Sequence, residues 1–217
     1  MPQTQPFAFY TERRLVGLTG LKAKNLQGLL NGLQQVSGSS IFYHTHHQYL
    51  SHHFEKPVFY NDFALWVSEA LQEQRLAEQL AAIDLLTFTT IRQLREAIIT
   101  TMENYHNEND GWSRECPPGD EFHFCKSQSF IMPTGLVAQD AADFFAKLPR
   151  ASNVSLYFHF FEARLRLERP TNDFSQWLAD CGEKTLAQAI DQIDPYIMTL
   201  DELKDAIIKL GKKALVS

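Results

Sequence analysis

Five of the chain's eight histidines fall between His44 and His53, in the run Phe-Tyr-His-Thr-His-His-Gln-Tyr-Leu-Ser-His-His (42–53). Imidazole exchanges a proton near neutral pH and is the commonest metal ligand. On a helix, residues three apart lie on one side, so His44 and His47 would face a single ion. Far along the chain, His159 and Glu162 repeat that spacing. These four side chains are the candidate metal site, of ligand types that helical proteins use for divalent ions, with zinc, iron or manganese as the expected metal. The competing reading makes His44 and His159 inward-facing, hydrogen-bonded core residues, because a buried imidazole needs partners for its nitrogens, with His52 and His53 more exposed and His46 and His47 local or solvated. Arg164, next to His159 on the same segment, is a candidate anion or carboxylate clamp. Against it stands an ordinary surface network in which Arg164, Arg166 and Arg169 pair with Glu162 and Glu168.

Other chemistries find less support. His-x-His occurs in metal-dependent hydrolases, where it holds an ion that activates water, but the supporting Asp and a strand–helix alternation are missing. Cys116, His123 and Cys125 have no standard zinc-finger spacing. Neither a Gly-x-Ser-x-Gly nucleophile motif nor a phosphate-cradling Gly-rich loop occurs. No catalytic residue is therefore assigned.

The elements that must position these groups are written twice. Phe7–Leu50 aligns with Phe122–Leu165 without a gap at an offset of 115, with 11 of 44 pairs identical, including Phe7/Phe122, Phe9/Phe124, Thr19/Thr134, Gly20/Gly135 and His44/His159; composition alone gives about three. Asn-Asp-Phe-x-x-Trp then recurs at 61–66 and 172–177, and Thr90–Ile99 answers Thr199–Ile208. This reads as a tandem duplication with pseudo-twofold symmetry: a first copy at 1–106, a polar connector at 107–121 and a second copy at 122–217, packed as one globular unit.

Within each copy, alternation in Phe7-Ala8-Phe9 and Phe122-His123-Phe124 predicts one or two short strands. An amphipathic helix follows, with Thr-Gly at 19–20 and 134–135 as its cap or entry turn, and Leu26, Leu29, Leu30, Leu33 or Ala141, Phe144, Phe145, Leu148 on its inner face. The segment 39–54 carries both strand-favouring residues and a helical apolar face; helix is the preferred reading. Asn61 and Asn172 cap a third helix, Leu76 and Leu186 mark a fourth, and capping boxes at Thr90–Gln93 and Thr199–Glu202 open the last. The expected class is mainly α, an α+β fold with short strands at the start of each copy.

With 44% hydrophobic residues and a net charge of -6, the 217-residue chain is ample for a core and carries no basic block, so nucleic acid is not an expected partner. Three cysteines cannot all pair, and no run reaches the ~18 apolar residues of a membrane span. A soluble cytoplasmic protein without membrane contacts is expected.

The runs Leu-Thr-Gly-Leu-Lys-Ala (18–23), Ser-Ile-Phe-Tyr-His-Thr-His (40–46), the two Asn-Asp-Phe motifs and Phe-Glu-Ala-Arg-Leu-Arg-Leu (161–167) resemble an uncharacterised bacterial family of unknown function over nearly the whole chain. That resemblance implies no activity, substrate or cofactor. The sequence favours a non-enzymatic binding or accessory module with a protein or small-molecule partner; the alternative is a metal-dependent enzyme using the cluster from His44 to His53.

Overall fold

Phe-x-Phe, a pattern of period two, opens each of the two strands around which the chain is organised. The computed structural model describes residues 5–51, 59–108 and 112–215, with side chains at all of these except 47–51, 166, 167, 196 and 215. Strands β1 (Phe7–Ala23) and β2 (Phe122–Ala138) are 17 residues each and form a two-stranded sheet with one another. Thr19 Oγ1 donates to the Phe124 carbonyl at 2.7 Å and Thr134 Oγ1 to the Phe9 carbonyl at 2.8 Å. A residue late in one strand thus meets a residue early in the other, so the ribbon is antiparallel.

The strands are longer than the sequence suggests, and Thr-Gly explains the difference. Gly20 and Gly135 adopt φ of +85° and +80°, conformations natural to glycine. The preceding threonine oxygen accepts the N–H of the residue after the glycine, Leu21 or Leu136, at 3.2 Å in both places. Thr-Gly is therefore a kink carried inside a continuing strand, a glycine-bearing irregularity of the kind that bends ribbons, and not a helix cap. The caps are Asn25 and Asp140, whose side chains accept from the N–H of Gly28 and Asp143.

After β1 come α1 (Leu26–Gln35), α2 (Gly38–Ser51), α3 (Asp62–Glu69), α4 (Gln74–Ala81) and α5 (Ile91–Glu108). After β2 come α6 (Ala141–Lys147), α7 (Asn153–Tyr157), α8 (Ala163–Leu167), α9 (Asp173–Asp180), α10 (Lys184–Asp191) and α11 (Leu200–Leu215), with a π-helical turn over Phe158–Glu162 between α7 and α8. Helices predominate, and the part of 39–54 that is described is helical; His52, His53 and Phe54 lie outside the described residues. Thr199 and Glu202 form the full capping box, with Thr199 N–H on Glu202 Oε2 at 2.7 Å and Glu202 N–H on Thr199 Oγ1 at 3.2 Å. At the other site only half of it forms, because Gln93 Oε1 accepts from Thr89 rather than Thr90.

The chain divides into two compact units that cut across the sequence copies. One contains residues 5–13 and 129–215, the other 14–51, 59–108 and 112–128. Each strand passes from one unit to the other partway along its length. The first unit buries Phe7 and Phe9 among Phe144, His159 and Phe174; the second buries Phe122 and Phe124 among Leu29, Leu33, Phe63 and Leu80. Each body of helices thus completes its core with the opening strand of the other sequence copy.

Close approach in these cores dictates two glycines. A Cβ on Gly32 would sit 2.2 Å from the Phe124 ring, and one on Gly211 would sit 2.3 Å from the Phe145 ring. Alanine raises intrinsic helix propensity by about 1 kcal/mol, but overpacking of a filled core costs about 1–3 kcal/mol. We predict that Gly32→Ala and Gly211→Ala each lower the urea midpoint, with a net loss of about 1–2 kcal/mol, while Gly17→Ala, which meets nothing within 4 Å, leaves it within about 0.5 kcal/mol.

Candidate functional site

His44 and His159 are each 3% exposed, and each sits at the junction of a helix, a helix N-terminus and a strand. His44 Nδ1 lies 2.7 Å from Asp62 Oδ2, and its Nε2 accepts the backbone N–H of Cys125 at 2.9 Å. His159 Nδ1 lies 2.6 Å from Asp173 Oδ2, and its Nε2 accepts the backbone N–H of Tyr10 at 2.8 Å. A peptide N–H is only a donor, so Nε2 must carry a lone pair and the ring proton resides on Nδ1, where it is given to the carboxylate. Both imidazoles are thereby neutral, oriented and saturated.

The repeated Asn-Asp-Phe-x-x-Trp motif supplies the remainder of each site. Asn61 and Asn172 cap α3 and α9, accepting from the N–H of Ala64 and Ser175 at 2.8 and 2.9 Å. The next residue, Asp62 or Asp173, occupies the first turn, where the helix dipole favours its negative charge. Phe63 and Phe174 pack on the histidine with ring centroids 5.4 and 5.6 Å away. Trp66 Nε1 donates to the Asp120 carbonyl at 2.6 Å, and Trp177 Nε1 to the Gln5 carbonyl at 2.8 Å. The first phenylalanine of each strand, Phe122 or Phe7, fills the space between, 4.7 or 4.9 Å from the histidine ring. A strand segment is thus gripped by a tryptophan at one end and a histidine at the other.

In this arrangement the candidate ligands His44 and His159 already have partners at both ring nitrogens. A ring whose Nδ1 donates and whose Nε2 accepts has no lone pair left for an ion, so neither His44 nor His159 is free to ligate while the strands are docked. The two belong to different compact units. The His47 side chain lies outside the described residues, and Glu162 is partly buried in the π-helical turn. Among the described residues no three His, Cys, Asp or Glu side chains gather as metal ligands do. Arg164 is partly buried in α8, and the carboxylate that His159 meets is Asp173 of its own chain.

His46 is buried rather than solvated, at 5% exposure, with local contacts. Its ring stacks on Phe42 with centroids 4.7 Å apart, and Nδ1 lies 2.7 Å from Thr45 Oγ1. Removal from water, reinforced by the nearby Arg14 guanidinium, draws its pKa from 6.5 down to about 3. Burial pushes the Cys125 thiol above its usual range, with Asp62 adding to the effect, and burial does the same to Cys116. Protonated thiols of this kind are poor nucleophiles.

Sequence reasoning picked out the shared histidines and the Asn-Asp-Phe-x-x-Trp repeat but missed their connection. Asp62 and Asp173 were readable as partners in one respect: each follows its shared histidine, 18 residues on in the first case and 14 in the second. The backbone groups of Gln5, Tyr10, Asp120 and Cys125 carry no side-chain signal of their role.

Fold and site together define a helical protein threaded by a two-stranded ribbon, in which buried histidines anchor the strands. The chain belongs to the family of unknown function DUF5752, whose profile matches residues 4–212. It is similar in structure to OrfY from Thermoproteus tenax, with 28% sequence identity and a TM-score of 0.85 over 99% of this chain and 98% of that one. No curated protein matches it. Among the described residues no helix is long and apolar enough to cross a membrane.

Two measurements test this account. His44→Ala and His159→Ala each orphan a buried N–H and remove a carboxylate's partner, at about 1–3 kcal/mol per unsatisfied group; calorimetry should show lower melting temperatures for both, and Asp62→Asn, which keeps an acceptor oxygen, should lose less than Asp62→Ala. The second concerns pH. His46 is neutral when folded and protonates near 6.5 when unfolded, so the unfolded chain binds the extra proton and stability falls as pH drops from about 6.5 towards 3. Its share of the slope is about 1.4 kcal/mol per pH unit, and His46→Phe should flatten the stability-versus-pH curve by up to that amount relative to the wild type.

Proposed function

We propose that the chain is an internally duplicated, non-enzymatic binding module that docks a protein partner on the exposed middle of its ribbon. The observation that carries this reading is the exposure of large apolar side chains where strands ordinarily hide them. In one unit Leu15 is 64% and Leu18 is 70% exposed; in the other Ile131 is 53% and Phe130 45% exposed. Each strand also has an edge left over from pairing with the other, and an open strand edge is a template for a further strand. Exposed apolar groups grouped on one element are a mark of interaction surfaces.

The duplication supports a scaffold rather than a catalyst. The groups repeated in both halves are Phe-x-Phe, Thr-Gly, the histidine and Asn-Asp-Phe-x-x-Trp, and each has a positioning role. Two repeats of one strand-anchoring device present a long ribbon on two helical bodies.

The test is the Leu15→Lys/Leu18→Lys variant. Both positions face water, so its melting temperature should stay within a few degrees of the wild type, while co-purification of the partner from a lysate of the source organism should be lost. Retention of the same partner by the folded variant rejects the ribbon face. Stoichiometric zinc, iron or manganese in untagged protein, measured by elemental analysis, would restore the metal-dependent alternative.

A further inference from the structure

We infer that the groove beside His159 is an acceptor site for an extended Phe-x-Phe segment arriving from another polypeptide, and that its occupant in that case is residues 5–10 of a second copy of this chain. The groove reads its ligand from both ends of the backbone: Trp177 Nε1 takes the Gln5 carbonyl, and His159 Nε2 takes the Tyr10 N–H. Between these grips, Phe7 enters an aromatic box of Phe144, His159, Phe174 and Trp177, with centroids 4.9 to 5.6 Å from its own. Phe9 stacks on Phe144 at 5.4 Å. Two pockets for alternate side chains with hydrogen bonds to the flanking backbone follow the logic of strand-addition peptide sites.

Two facts point to exchange. First, residues 5–13 are joined to the rest of their unit, residues 129–215, only through a chain path that runs through the other unit, so the groove already holds its ligand as a separate piece of chain. A second copy's segment makes the same contacts and needs no new surface. Second, the docked segment is not enclosed. A cavity of about 560 Å³ lies along it, lined by Pro6, Tyr10, Trp177 and Asp180 among others, and Tyr10 is 38% exposed. The chain just before the matching segment at 120–125 is fixed by Cys116 N–H on the Lys24 carbonyl at 2.7 Å and by Arg114 on Glu73 at 2.7 Å.

The test uses the full-length chain and a fluorescent peptide of residues 5–12. Tyr10→Pro removes the N–H that His159 accepts, together with the ring against Phe158 and His159, and leaves Phe7 and Phe9 unchanged. In the chain, this change should loosen the resident segment, so that the variant binds the wild-type peptide roughly tenfold more tightly than the wild-type chain does; in the peptide, it should weaken binding by roughly tenfold. Should the variant chain not fold, the wild-type chain is warmed to the start of its unfolding transition and cooled with excess peptide, and the same ratio between the two peptides is read. Without peptide, the same treatment of concentrated protein should yield a species of twice the chain mass by light scattering, absent when peptide is in excess. Equal binding of the two peptides, or binding of neither, overturns the acceptor site. Peptide binding without the doubled species overturns the second copy as occupant. The Leu15→Lys/Leu18→Lys chain should behave as wild type in every arm, which separates this site from the ribbon face.

Discussion

A neutral imidazole carries one donor and one acceptor nitrogen on a rigid ring and so bridges a carboxylate to a peptide N–H, and the architecture hangs on two of them. Each ties the first turn of a helix, through Asp62 or Asp173, to a strand, through Cys125 or Tyr10. A hydroxyl or an amide also offers a donor and an acceptor, but not spaced across a rigid ring, and a protonated ring would set two donors against one acceptor. Because both histidines are 3% exposed, water cannot replace a lost partner. The surrounding rings complete the argument: Phe63, Phe122 and Phe124 around His44, and Phe7, Phe9 and Phe174 around His159, exclude solvent and hold each imidazole plane in place.

The six-residue motif after each histidine is then a compact set of instructions. Asparagine starts the helix, aspartate orients the imidazole, phenylalanine walls the groove and tryptophan fixes the far end of the strand. Three of those four functions are hydrogen bonds to groups more than a dozen residues away, or to backbone that any residue type would present. That is why the motif announces itself by repetition while its purpose stays hidden.

Local physics was therefore legible and non-local pairing was not. The caps Asn61 and Asn172, the inner faces of α1 and α6, and the final helices follow from propensity and period, and the structure has them where the sequence puts them. Thr19-Gly20 misleads because a threonine hydroxyl and a positive-φ glycine mean the same thing locally in a helix cap and in a kinked strand; only the opposite strand, offering the Phe124 carbonyl, decides between them. His46 misleads for a similar reason, since Phe42 and Thr45, which shelter it, also suit a solvated helix face. The candidate ligands His44 and His159 were correctly singled out as special, but sequence offers no account of which atoms their nitrogens meet.

The crossed docking of the opening strands also bears on how the protein comes into being on the ribosome. The helices that follow β1 are made first, yet the rings that finish their core, Phe122 and Phe124, are translated after all of them. Phe7 and Phe9, made at the outset, have no body to join until Phe144, His159 and Phe174 exist. The unit that ends at residue 128 can close once Phe122 and Phe124 have emerged, whereas the other waits for the helices that follow β2, and contacts of such long sequence separation form slowly. For that interval Phe7 and Phe9 stand uncovered, and nascent chains on neighbouring ribosomes meet in a state in which this segment is interchangeable.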